Sequence, residues 1–169
     1  LNMNRGKLAG YYQPNRLTRG RGMYEFGCHC KQLTYRYSGQ PDCCYTCHCT
    51  DCQRASGSAF TCNMIVDRAD IKLVSGSASE LCYLHNNDQL HVTCCQSCGT
   101  DLYLYFANTP DTATILTGTF LQQHWFRPIA HIWTRSTASW LKLDDGLPCF
   151  EKQPPWEELT ALWKSQNLS

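Results

Sequence analysis

The chain carries little charge and no long apolar run. Only 17% of its residues are charged, and the formal net charge is +1. No apolar stretch reaches the roughly 18 residues that a membrane-crossing helix requires, so no transmembrane span is expected. The first residues lack the apolar centre of a secretory signal, and the expected setting is therefore the reducing cytoplasm. Acidic residues are missing from the first 22 positions, which hold five basic ones: Arg5, Lys7, Arg16, Arg19 and Arg21. The remainder holds ten basic against fourteen acidic residues. A mildly acidic body lacks the basic patch that neutralises phosphates, which argues against a dedicated nucleic-acid surface. Internal repeats and low-complexity blocks are absent too, which removes solenoids and fibrous folds.

Cysteine is abundant instead, with 13 residues in a chain of 169. Seven of them fall at chelating spacing. Cys28 and Cys30 form a C-x-C, Cys47, Cys49 and Cys52 form a C-x-C-x-x-C, and Cys95 and Cys98 form a C-x-x-C followed by Gly99. In a reducing compartment such clusters mean metal rather than disulfides, and the odd total supports this. Thiolate sets at this spacing point to zinc.

Length and a hydrophobic fraction of 43% suit one domain with a real core. The domain is expected over residues 23–169, preceded by a flexible basic extension over 1–22 that Gly6, Gly10, Pro14, Gly20 and Gly22 punctuate. From Tyr24 onward the pattern turns to short strands. Segments 33–37, 59–66, 71–74, 80–84, 89–94, 101–106, 114–117 and 129–133 are rich in β-formers. Asn86, Asn87 and Asp88 supply a hairpin turn between two of them. Closely spaced short strands predict an all-β sandwich or barrel-like fold. One helix is expected near the end, over 156–164, because Pro154 and Pro155 precede it and Glu157 and Glu158 occupy its first turn.

Cys28, Cys30, Cys95 and Cys98 make a four-sulfur set, with each pair on a tight turn. Four thiolates close a tetrahedral structural zinc and staple the first strands to the middle of the sheet. Cys94 competes with Cys95 for this role, and the C-x-x-C-G spacing selects Cys95. The second set, Cys47, Cys49 and Cys52, has three thiolates on one short loop. Its fourth position is open to water or an external thiolate, or else Cys43, Cys44 or His48 fills it and makes a second structural site. An open position would bind and activate a small thiol. Arg54 offers a bidentate contact to a carboxylate. Asp51 is the nearest carboxylate, Ser56 and Ser58 are nearby donors, and Trp125, Trp133 and Trp140 are candidates to line a cleft.

These residues resemble the glutathione-dependent formaldehyde-activating enzyme family, whose members include centromere-protein-V-like domains. The resemblance spans roughly 27–150. It rests on Gly27 to Cys30 (GCHC), Cys47 to Phe60 (CHCTDCQRASGSAF), Cys95 to Thr100 (CQSCGT), His131 to Trp133 (HIW) and Trp140 to Pro148 (WLKLDDGLP). It implies twisted antiparallel sheets of the Mss4-like β-tent type and two zinc ions per chain. Cys28, Cys30, Cys95 and Cys98 would hold the structural ion, and Cys47, Cys49 and Cys52 the catalytic one. It also implies a carbon–sulfur lyase that joins formaldehyde and glutathione into S-hydroxymethylglutathione, with Arg54 meeting a glutathione carboxylate. The rival readings are an enzyme of the same fold acting on another thiol, aldehyde or imine, and a non-catalytic zinc module that binds a protein. Cys43, Cys44, Cys62, Cys82 and Cys149 are additional to the zinc set.

Overall fold

A computed structural model describes residues 22–122 and 126–167. The basic extension, apart from Gly22, and Trp125 lie outside the described residues. The described chain is mainly β. A three-stranded antiparallel sheet is made of β1 (Gly22–Gly27), β2 (Thr34–Gly39) and β5 (Ile71–Ser75). The eight-stranded sheet uses β3 (Cys43–Cys47), β4 (Thr61–Asp67), β6 (Ala78–His85), β7 (Asp88–Cys95), β8 (Asp101–Phe106), β9 (Thr112–Leu116), β10 (His131–Ile132) and β11 (Cys149–Phe150). Its order is β11-β10-β3-β4-β9-β8-β7-β6. Two helices complete the set, α1 (Thr50–Ser56) and α2 (Trp156–Asn167).

Period-two alternation explains the small sheet. Along β2, Tyr35 and Tyr37 point inward while Thr34 and Arg36 are only partly covered. Phe26 and Tyr35 stack with centroids 5.7 Å apart, and Tyr103 of β8 meets Tyr35 edge-on at 5.5 Å. Such offset and edge-on pairs add to the area they bury. This aromatic layer, with Met64, Val66, Ala113 and Ile115, forms the core between the two sheets. The opposite face of the large sheet has its own core. There Cys43, Tyr45 and Ile65 pack against Ile129, Ile132 and Leu159 of α2.

The hairpin predicted at 86–88 is present. Asn86 and Asn87 have φ of 50° and 65°, and His85 pairs with Asp88 across a two-residue turn. Asparagine tolerates this left-handed backbone, and the turn's twist matches that of the strands. Three features depart from expectation. The pairings of β10 with β3 and with β11 are parallel, so the large sheet is mixed rather than antiparallel. β3, whose residues are all buried, is a strand that alternation does not reveal, because both of its faces are covered. The segment after Cys49 is the helix α1 rather than a loop.

Candidate metal centres

The four-sulfur set forms where two hairpin turns meet. The β1–β2 turn closes through Cys28 N–H to the Leu33 carbonyl at 3.0 Å, and the β7–β8 turn through Cys95 N–H to the Thr100 carbonyl at 2.9 Å. Both need a left-handed residue, and these are Lys31 (φ 63°) and Gly99 (φ 70°). Gly27 is needed for approach, because a Cβ there would lie 2.8 Å from the Leu33 carbonyl oxygen. Thr100 ties the turns together: its hydroxyl oxygen accepts the His29 N–H at 3.2 Å and lies 3.1 Å from Cys98 Sγ. Sγ of Cys30 lies 3.4 Å from that of Cys28 and 3.8 Å from that of Cys95. All four sulfurs fall within 4.8 Å of one another. One pair belongs to the small sheet and the other to the large one, so an ion here would pin the two sheets together.

Protons are unevenly shared in this set. The Thr100 hydroxyl and backbone N–H groups pull Cys98 down to about 5. The Gln32 N–H favours a thiolate at Cys30, but the Cys28 sulfur and burial outweigh it and push Cys30 up to about 12. Thiols this close cannot all ionise unless a cation neutralises them. Cys94 stands apart, with its Sγ 3.6 Å from the Ser79 carbonyl. A register shift between Thr93 and Cys94 turns Cys95 toward the set.

The three-sulfur set occupies a strand–helix junction. Cys47 ends β3, and Cys49 caps α1, where its Sγ accepts the Cys52 N–H at 3.3 Å. Helix geometry then brings Cys52 back toward Cys49, and all three sulfurs lie within 4.8 Å of one another. Cys47 and Cys52 donate to the Cys49 sulfur and draw its pKa down to about 2, while the Cys47 thiol is pushed far up by the same contacts. Three sulfurs at this spacing are a soft donor set that fits zinc. Among the described residues no further Cys, His, Asp or Glu joins this group.

The alternatives for a fourth ligand sit elsewhere. Cys43 and Cys44 are fully buried on opposite faces of β3, and burial raises both thiols, Cys43 to about 12. They are core residues. His48 is fully buried, and its Nε2 lies 3.0 Å from His131 Nδ1. Burial, and then the neighbouring His131, keep His48 neutral by lowering its pKa.

Spacing gave no hint of the polar chain behind this set. Asp145 Oδ2 lies 2.9 Å from His131 Nε2. That carboxylate orients the His131 ring, whose Nδ1 lies 2.6 Å from the Thr46 hydroxyl oxygen and 3.0 Å from His48 Nε2. The backbone runs alongside, with Thr46 N–H donating to the Ala130 carbonyl and His48 N–H to the Ile132 carbonyl, both at 3.0 Å. Gln53 Nε2 donates to the carbonyls of His48 (2.7 Å) and Ser136 (2.8 Å) and anchors the first turn of α1.

Arg54 is 79% exposed, and its nearest acid is Asp51 at 3.5 Å. His85, at the end of β6, approaches Asp51 from the other side at 3.9 Å. Ser56 spends its hydroxyl proton on the Cys52 carbonyl at 2.8 Å, so it is not free for a ligand. Trp133 packs against the same buried cluster as Cys49 and Cys52, in left-handed backbone (φ 58°), with the Arg135 guanidinium 4.8 Å over its ring. Trp140 is 73% exposed. All thirteen cysteines are free thiols.

A family model described as glutathione-dependent formaldehyde-activating enzyme matches residues 23–136. No curated protein matches the chain. Among solved structures, a crystal structure of a Rhodobacter sphaeroides protein aligns at 12% identity and a TM-score of 0.44, covering 75% of this chain and 98% of that one.

Proposed function

The chain belongs to the glutathione-dependent formaldehyde-activating enzyme family, and from that premise we propose that it is a carbon–sulfur lyase acting on a glutathione–aldehyde adduct. The observation that supports this most is the three-sulfur set with no fourth ligand beside it among the described residues. A protein-binding zinc module has no use for such a set. Cys28, Cys30, Cys95 and Cys98 would hold one zinc ion and Cys47, Cys49 and Cys52 a second. When bound at the second set, zinc supplies a soft positive charge that favours the thiolate of an incoming thiol and leaves a coordination position free.

In the synthetic direction the glutathione thiol gives up its proton, and its sulfur attacks the formaldehyde carbon. A carbon–sulfur bond forms, and the carbonyl oxygen takes a proton to become the hydroxymethyl group. Asp51, next to Cys52 in the chain and half-exposed, accepts the thiol proton in this reading. Arg54, on the same helix and facing solvent, meets a substrate carboxylate. The chain Asp145–His131–His48 with Thr46 holds the end of β3, and therefore Cys47, in place. The free thiols suit a reducing cytoplasm.

The exposure of Arg54 favours a second reading, the same bond chemistry on another thiol or aldehyde, because this arginine is not enclosed in a shaped carboxylate pocket. Carbon-13 formaldehyde and glutathione, followed by NMR, separate the two. The lyase reading expects the adduct to form and dissociate faster with protein than without. Equal rates with glutathione, but acceleration with a different thiol, would select the second reading. Equal rates with every thiol tried would exclude both.

A further inference from the structure

The face of the large sheet that carries the aromatic core continues past the small sheet to the edge strand β6. Cys82 of β6, His91 of β7 and Tyr105 of β8 are direct neighbours across the strands there. Glu80 lies two residues from Cys82 and so shares its face. Cys82 Sγ is 3.8 Å from His91 Nε2, His91 Nδ1 is 3.0 Å from Glu80 Oε1, and the Tyr105 hydroxyl donates to Glu80 Oε2 at 3.0 Å. Tyr105 stacks flat on the imidazole, with centroids 4.6 Å apart and planes 8° apart. The Arg68 guanidinium covers the tyrosine ring at 4.1 Å. Cys82 is exposed, and Glu80 about half so.

We propose that Cys82, His91 and Glu80 form a nucleophilic thiol site, separate from both sulfur clusters, that exchanges with small-molecule disulfides. The order thiol, imidazole, carboxylate is what activates a sulfur: the carboxylate orients the ring with its proton on Nδ1, and Nε2 is left to take the thiol proton. Both oxygens of Glu80 are engaged, the stacked tyrosine restrains the ring, and the Arg68 guanidinium covers that tyrosine. Hydrogen bonds from His91, and further ones from Tyr105, hold Glu80 below the usual carboxylate range against the cost of burial.

The exchange is balanced without any further reagent. The Cys82 proton passes to His91 Nε2, and the Cys82 sulfur attacks one sulfur of the small disulfide. That sulfur–sulfur bond breaks, and a mixed disulfide with Cys82 forms. The departing thiolate takes the proton from His91 and leaves as the free thiol.

Cys149 is the internal reference, since it is also exposed but among the described residues its Sγ meets only the Leu147 carbonyl, at 3.6 Å. The full zinc-loaded chain is treated with iodoacetamide at neutral pH, and the rate at each cysteine is read by peptide mass spectrometry. Cys82 is expected to react about tenfold faster than Cys149, a small part of the gain that a positioned base gives. His91→Phe keeps the stacking and removes the base, and should bring Cys82 to the rate of Cys149. Glu80→Gln should lower it part of the way, and decides the matter if His91→Phe does not fold. With glutathione disulfide as the second probe, the mixed disulfide should form at Cys82 before Cys149. A Cys82 no faster than Cys149, a rate that survives in the folded variants, or a mixed disulfide that forms first at Cys149 would each overturn the proposal.

Discussion

The two sulfur sets use the same atom in opposite structural settings. The four-sulfur set joins hairpin turns that lie 65 residues apart and belong to different sheets. The three-sulfur set draws on six consecutive positions at one strand–helix junction. Drawing segments 65 residues apart together removes about 2 kcal/mol more chain entropy than closing a loop of a few residues, and a metal doing so becomes part of the folding free energy. The three-sulfur set closes almost nothing. Its geometry is imposed by β3, by Gln53 and by the His131 chain, whose contacts are made between protein groups. One set is therefore expected to build the fold, while the fold builds the other.

The largest effect expected from that contrast is at Cys95→Ser. A structural zinc contributes on the order of 10 kcal/mol, comparable with the whole stability of a typical domain. The variant should lose its cooperative thermal transition and retain no ion in the four-sulfur set, as melting and metal analysis would show. A cooperative melt close to that of the unaltered chain would break the comparison.

His131→Ala tests what shapes the three-sulfur set. It removes the partner of Asp145, Thr46 and His48 at once, and His131 itself is only 6% exposed. Leaving these groups unpaired should cost about 2–3 kcal/mol in denaturant unfolding. It should also weaken metal binding about 10-fold or more at the three-sulfur set and leave the four-sulfur set unchanged. Equal weakening at both sets would mean that the polar chain supports the fold generally and not the junction.

Asp145→Asn probes the same chain more gently. Against burial, the hydrogen bond from His131 and the Leu147 N–H hold Asp145 below its usual pKa. Its charge therefore contributes stability above the unfolded value, about 3.9, which is lost as pH falls through the lowered folded value. Because Asp145 is half-exposed, the loss should stay below about 1 kcal/mol at neutral pH. The variant should show a flatter decline of stability with acid than the unaltered chain, and an identical acid profile would remove Asp145 from the account.

Arg54→Ala is expected to be the mildest. Among the described residues its exposed side chain reaches only Asp51, at 3.5 Å, so unfolding should move by no more than about 0.5 kcal/mol. Glutathione affinity should fall several-fold by calorimetry, whereas an unchanged affinity would place the substrate carboxylates elsewhere.

The clusters and most strands could be read from the chain because their signals are local. Cysteine spacing is preserved by the turns that hold it, and alternation in 33–37 reports one buried face. β3 escaped because strands buried on both faces carry no alternation, and Cys43 and Cys44, candidates for a fourth ligand, are core. α1 escaped because seven residues give no helical period, and its cap is a cysteine. The parallel docking of β10 beside β3 and the His131–Asp145 contact depend on chain segments more than 80 residues apart or on the loop that returns to them, and no local pattern encodes them.

The central claim is that one set builds the fold and the other serves chemistry. Metal content, thermal unfolding and glutathione binding of Cys49→Ser, beside the unaltered chain, test it most directly. The account predicts two zinc ions in the unaltered chain, then one ion, a preserved cooperative melt and lost glutathione binding in the variant. A variant that unfolds, or that keeps both its ions and its glutathione affinity, would contradict it.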